Sequence, residues 1–343
     1  MYCPYHGVDH PPDTAFNLEH IIPYAAGGSG LFAIFVCTQI NSRFGAELDA
    51  PFLDVFPVSC ERFARGIKSQ SGNEPTLVLQ GLTEIEGKTV QIIYEISANE
   101  KRLLVDPDVQ SVDVAAGKRY HVRASLEEAE EILRNIDRKA TRRGQIIVDV
   151  AGKPVSIDGL LEKAEIRKLV PTIESRWNFR AWEIAAQREF VKIALGACHF
   201  LLKEPYSRSP DADLLRKFLN SADEDLDKVP ILGTVWPAVV ANPLLPFRGI
   251  LGDPGQHIVA LLHLTGRLVV YISLFGELSA NLVISEDAEI CDLVKRDDGY
   301  VMQIDPISRN VVQRRFTELL QMMAREAENK ALGPSAGDVD SNE

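Results

Sequence analysis

The sequence predicts an α+β protein: a small turn-rich module at the front, a mixed α+β middle region, then a long central helix followed by a hairpin and a closing helix. Three observations carry this reading. Period-two alternation in "TLVLQGL", "TVQIIYEI" and "KRLLVD" marks half-buried strands. A helical period runs through "RWNFRAWEIAAQREFVKIALGACHFLLKE", where Trp182, Ala185, Phe190, Ile193, Ala197 and Phe200 share a broad apolar face. Two apolar runs, "HIVALLHL" and "RLVVYISLF", meet at Thr265-Gly266, a junction that suits a hairpin.

Taken in order, residues 1–72 form the front module. There "DHPPD", "AAGGSG" and "QSGNE" punctuate short apolar pieces, and "NSRFGAELDAPFLDVF" reads as a helix opening after Cys37. Residues 73–170 hold the three alternating segments and then a helix, "SLEEAEEILRNIDRKATRRG", opened by Ser125 and Glu128 in capping-box spacing. "QIIVDVAGKPVSI" predicts two more short strands around a Gly-Lys-Pro turn. Residues 171–330 carry the long helix, a Pro- and Gly-rich stretch from Pro230 to Gly255, the hairpin, and a helix from about Arg309 to Glu328. The Ser/Gly/Asp tail, 331–343, has the composition of a disordered segment.

The chain has 343 residues, 45% of them hydrophobic, which is enough to bury a substantial core. Its formal net charge of −12 argues against general polyanion binding, because the far field repels phosphate. A nucleic-acid role therefore needs a local basic face or a bound cation. Five scattered cysteines do not resemble a disulfide framework, so reduced thiols are expected. No apolar run approaches the length of a membrane span, and the polar start lacks the features of a secretory signal, so no membrane partner and a cytoplasmic location are expected.

The chemistry gathers near the N-terminus, in "CPYH", "LEHIIPYAAGG" and "CTQINSRFGAELDAPF". Cys3 and His6 form one metal-ligand pair, Cys37 begins a second whose partner position is Ile40, and Glu19-His20 lies between them. Asn41 follows directly. Over roughly the first sixty residues this order resembles the HNH endonucleases, in the branch with an "EHIIP" strand and an "FG…D" helix. The resemblance implies a ββα-metal module in which a hairpin and one helix hold a divalent cation, Mg²⁺ or Mn²⁺, against a scissile phosphate of DNA in preference to RNA. It makes His20 the general base, with Glu19 and Asn41 toward the catalytic ion; Arg43, within a turn of the helix start, can touch a phosphate, and Asp49 either supports the metal site or fastens the helix. A second copy of the chain or a protein partner stays open.

The residue chemistry is consistent with those roles. An imidazole with a usual pKa of about 6.5 can take a proton from water near neutral pH, provided a backbone carbonyl holds its other nitrogen. The Asn41 carbonyl suits a hard cation, and Asn41, Gly45 and Asp49 share a helix face. Neighbouring strand residues point to opposite sides, so the chain must bend for Glu19 and His20 to face one phosphate. Two features depart from the family. Ile40 cannot ligate a structural Zn²⁺, which leaves His10 as the nearest spare donor or packing in place of the metal, and "GLFAIFV" before Cys37 lacks the usual asparagine. The alternative is a non-catalytic nucleic-acid or protein interaction module derived from such a nuclease.

Other chemistry-bearing residues read as structural. Cys198-His199 diverge around the long helix, and His257 and His263 share a strand face without a carboxylate or thiol at ligand spacing. Lys139, Arg142 and Arg143 compensate a helix C-terminus. Arg176, Arg180, Arg188 and Lys192 are interleaved with acids and read as a solvated helix face, and Trp177 and Trp182 read as core.

Overall fold

The computed structural model describes the chain apart from residues 86–87, 106, 115–116, 150, 163, 166–173, 175–177, 223–234, 238–254 and 332–343. The predicted tail, apart from Ala331, lies outside the described residues, as do Arg176, Trp177 and most of the Pro/Gly-rich stretch. The fold is mixed α+β and divides into two compact units, Met1–Pro75 with Asn178–Glu343, and Thr76–Trp177. The front segment and the C-terminal region thus pack as one unit, although about a hundred residues separate them in sequence. Among the described residues no helix is long and apolar enough to cross a membrane.

The first unit opens with a short ladder, β1 (Tyr2–Cys3) on β2 (Val8–Asp9). Next, β3 (Phe16–His20) pairs antiparallel with β4 (Ala33–Cys37), which leads into α1 (Thr38–Phe44). The helical path continues through one π segment, Gly45–Asp49, into α2 (Ala50–Leu53), and α3 (Phe56–Arg65) follows. Much later comes α6 (Phe179–Leu202), capped by the Asn178 side chain, which accepts from the Ala181 amide. From Glu189 to Cys198 every residue of α6 is buried, because helices α2 and α8 (Pro210–Asn220), strand β4 and a large sheet pack around it. An enveloped helix has no solvent face to spare. The interleaved charges therefore do not form a solvated face. Arg180 is exposed and pairs with Glu183 at 3.2 Å, but Arg188 is half-buried against the Ser221 carbonyl and Lys192 is fully buried. Trp182 packs on the core and stacks on Phe56, as a core aromatic should.

That sheet has six antiparallel strands in the order β10-β13-β12-β11-β14-β15. β11 (His257–Leu264) and β12 (Arg267–Leu274) form the predicted hairpin, with φ of 50° at Thr265 and 77° at Gly266, the two positive values a tight hairpin turn needs. Val259 and Leu261 join the core shared with α6. Ile258, Ala260 and Leu262 face the other way, against Phe316 and Leu319 of the last helix. Helices cover both faces, which is why "HIVALLHL" is apolar without alternation. β13 (Leu278–Ser285) carries the edge strand β10 (Val235–Pro237), and β14 (Gly299–Ile304) carries β15 (Val311–Arg315). The expected helix from Arg309 is corrected here. Val311–Arg315 completes the sheet edge, its two β-branched residues suiting a strand, and the helix runs over Phe316–Ala331.

In the second unit the three expected strands, β5 (Leu77–Ile85), β6 (Lys88–Ile96) and β7 (Lys101–Val105), pair into one antiparallel sheet. A further hairpin, β8 (Asp108–Val114) with β9 (Gly117–Arg123), has a largely polar sequence that did not announce it. Helix α4 (Leu126–Arg142) has the predicted capping box. The Ser125 hydroxyl accepts from the Glu128 amide at 3.3 Å and donates to the Glu128 carboxylate at 2.7 Å. "QIIVDVAGKPVSI" supplies one isolated bridge, Val148 to Pro154, in place of two strands. The Asp149 carboxylate accepts from the amides of Ala151 and Lys153, so a side-chain-closed turn replaces ladder pairing.

Candidate metal centre and adjoining cleft

Cys3, His6, His10 and Cys37 converge, with one ligand atom from each lying within 4.8 Å of all the others. Cys37 Sγ is 3.2 Å from His6 Nδ1, and His6 Nδ1 is 3.1 Å from His10 Nε2. A tetrahedron built on Zn–S and Zn–N bonds of about 2.3 and 2.0–2.1 Å has edges of roughly 3.3–3.8 Å, so two thiols and two imidazoles at these spacings could hold a metal ion. The position left empty by Ile40 is filled by His10. Ile40 is buried on the inner side of α1 beside Phe44, and a histidine four residues beyond His6 was the signal in the sequence. Burial raises the Cys3 thiol pKa and, with His10 and Arg43 nearby, lowers that of His6. The turn between Cys3 and His6 is pinned from α8. Arg216 Nε donates to the Pro4 carbonyl at 2.7 Å and Nη2 to the Tyr2 hydroxyl at 2.8 Å.

Beside this cluster, a cleft of about 370 Å³ is lined by Glu19, His20, Tyr24, Asn41, Gly45 and Asp49, with others. Glu19 and His20 are the last two residues of β3, both still paired with β4. Glu19 is buried, His20 is half-buried, and both reach the same cleft. Asn41 of α1 and Gly45 and Asp49, the first and last residues of the π segment, also line it. Asn41 Nδ2 donates to Asn17 Oδ1 at 2.8 Å and to the Leu18 carbonyl at 3.3 Å. The expected carbonyl partner of His20 is not found among the described residues. The ring is instead held edge-on to Tyr24, with centroids 5.2 Å apart. Burial, then the fields of Lys192 and Arg309, lower the His20 pKa, so its neutral form is favoured. Arg43 points elsewhere, bonded to Asn220 Oδ1 at 2.5 Å and 3.8 Å from Glu47, and does not line the cleft.

The loop behind His20 is tied down by residues that motif reading passed over. Gly27 has φ of 94°, and a Cβ on Gly28 would come within 1.8 Å of the Ile22 carbonyl oxygen, so the double glycine serves close approach. Three side chains from distant segments donate to its carbonyls. Arg309 reaches Tyr24 and Gly28 at 2.7 and 2.8 Å, Arg62 reaches Ala25 at 2.6 Å, and His257 Nε2 reaches Ala26 at 2.8 Å. His257 is thus structural, as expected. So is His263, on the Val294 carbonyl, while His199 bonds the Ser207 hydroxyl and Cys198 is buried.

Behind the cleft wall lies a buried ionic cluster. Lys192 Nζ is 2.7 Å from Glu19 Oε1, 3.4 Å from Glu189 Oε1 and in close contact with Asp49 Oδ1. Burial opposes the ammonium's charge, but Asp49, Glu189 and Glu19 outweigh it and hold its pKa well above the usual value. Burial likewise raises Glu19 against the opposing field of Lys192. Burial pushes Glu189 further, well above its usual value, although Lys192 opposes the shift. Comparison with protein-family models, curated proteins and solved structures found no match.

Proposed function

We propose that the chain is a metal-dependent endonuclease of the HNH type that hydrolyses DNA phosphodiester bonds with His20 as general base. The observation that carries this is the convergence of His20, Asn41, Glu19 and Asp49 on one cleft, in a hairpin-and-helix unit that also holds the Cys/His cluster. A neutral imidazole is the form that accepts a proton from water near pH 7. The donor set suits a hard cation. Asn41 spends its amide hydrogens on Asn17 and Leu18, which leaves its carbonyl oxygen to accept, and Glu19 Oε1 receives no aligned hydrogen bond despite the nearby ammonium. Mg²⁺ or Mn²⁺ held by Asn41, Glu19 and Asp49 would offset charge building on the phosphoryl oxygens. Such a cation also reconciles an acidic chain with a polyanionic substrate. At the Cys/His cluster, Zn²⁺ would be structural, with all four positions taken by protein.

The test is plasmid nicking with Mg²⁺ or Mn²⁺ by the wild type and by His20→Ala. A loss of at least about 100-fold is expected, and equal nicking by both proteins removes His20 from the mechanism. A second reading, a non-catalytic interaction module, is favoured by the grip of Lys192 on two of the three oxygen donors. It expects binding of nucleic acid or protein that EDTA does not weaken, and no cleavage with any ion.

A further inference from the structure

Lys192 is the residue whose setting differs most from its sequence appearance. Its side chain has no solvent exposure, it belongs to a helix that starts more than a hundred residues after the cleft segments, and its ammonium meets three carboxyl groups. Two of those carboxyls, Glu19 and Asp49, also line the cleft, whereas Lys192 does not. They come from different elements, the end of β3 and the end of the π segment, so the ammonium is a common anchor for both. The helix is set in depth at this point. The Tyr5 hydroxyl donates to the Lys192 carbonyl at 3.4 Å, and a Cβ on Gly196, one turn on, would lie 2.7 Å from that hydroxyl. Tyr5 belongs to the turn between Cys3 and His6, so the metal cluster and the anchor are braced against one helix.

We propose that Lys192 is a positioning residue whose buried ammonium, reaching in from the central helix, holds the Glu19 and Asp49 carboxylates in the wall of the cleft. An internal ammonium has one charge and a fixed tether. It offsets part of the charge of the two acids from behind and keeps them from parting. Carboxylates that must meet a cation and a phosphate are useful only when held in place, and displacement by about 1 Å can cost on the order of 100-fold in rate. The kinetic part of the inference rests on the nuclease reading above, whereas the anchor itself does not.

Three measurements on the full chain test it. First, the folded wild type is treated with formaldehyde and borohydride and mapped by peptide mass. Lys192 should stay unmethylated while the exposed Lys101 and Lys139 react, and methylation of Lys192 in the native protein overturns the proposal. Second, urea midpoints are compared for Lys192→Met, Glu19→Gln and the double variant. The double variant should be more stable than Lys192→Met, because the stranded acid is removed with its partner, whereas additive losses overturn the anchor. Third, nicking with Mn²⁺ should show kcat of Lys192→Met reduced about 100-fold with KM within about threefold. Wild-type kcat in Lys192→Met overturns the positioning role. A wild type that nicks with neither ion overturns the nuclease reading instead, and the first two measurements still decide whether Lys192 anchors the acids.

Discussion

His257 shows how much one buried side chain can carry. Its Nε2–H donates to the Ala26 carbonyl and its Nδ1 accepts from the Phe275 amide, so the ring bridges β11 to the loop behind His20 in its neutral form. Burial lowers its pKa from 6.5 to about 4, with the Ala26 bond opposing and Arg65 adding to the shift. Between those values the unfolded chain binds a proton that the folded chain excludes, so stability rises with pH through this window and is lost on acidification from about pH 6.5 toward 4. A shift of that size corresponds to about 3 kcal/mol. The expected outcome is a urea midpoint that falls steeply between pH 7 and 4 in the wild type and more gently in His257→Gln. Equal slopes would show that His257 is not responsible. His199, also lowered to about 4 by burial, contributes in the same direction and remains in both proteins. Nothing around "GQHIVALL" in the sequence reveals this role, because the acceptor is more than two hundred residues away.

Among the elements, those whose signals are local formed as expected. The capping box at Ser125 and the hairpin at Thr265-Gly266 each need only three or four neighbouring residues. Replacing Ser125 by Ala should therefore cost about 1 kcal/mol and reduce hydrogen-exchange protection in the first turn of α4. Unchanged protection of the Glu128 amide would show that the cap is not holding that turn. Elements whose identity depends on a partner were less legible. Val311–Arg315 is a strand because β14 offers a free edge, and the segment around Asp149 is a turn because its carboxylate satisfies two amides locally. Lys192 was misplaced for the same reason. Acids and bases alternating along a helix read as solvated when nothing in the segment tells that other elements will enclose it.

For the molecule as a whole, the first unit is closed by contacts between its two sequence-distant halves, and the Cys/His cluster sits where they meet, with Arg216 of α8 gripping the turn that carries Cys3 and His6. Metal binding there is expected to stabilise the entire unit. Purified protein should carry about one equivalent of zinc, and stripping it with a strong chelator or replacing Cys37 by Ser should lower the melting temperature cooperatively. Metal-free protein with an unchanged melting temperature would show that packing alone holds the cluster. The α+β class, the long helix, the hairpin and the shared helix face of Asn41, Gly45 and Asp49 could be read from residue order, because periodicity and turn chemistry are properties of neighbouring residues, whereas the grouping of Glu19 and His20 with them was implied by the motif resemblance. The sequence left the fourth metal position open between His10 and packing, and folding brings His10 to the cluster; the ammonium behind the cleft and the three donors on the Tyr24–Gly28 loop emerged only on folding. Each depends on which distant surfaces come together, and burial, which sets both the charge state and the partners of such groups, is a property of the packed chain and of no segment in it.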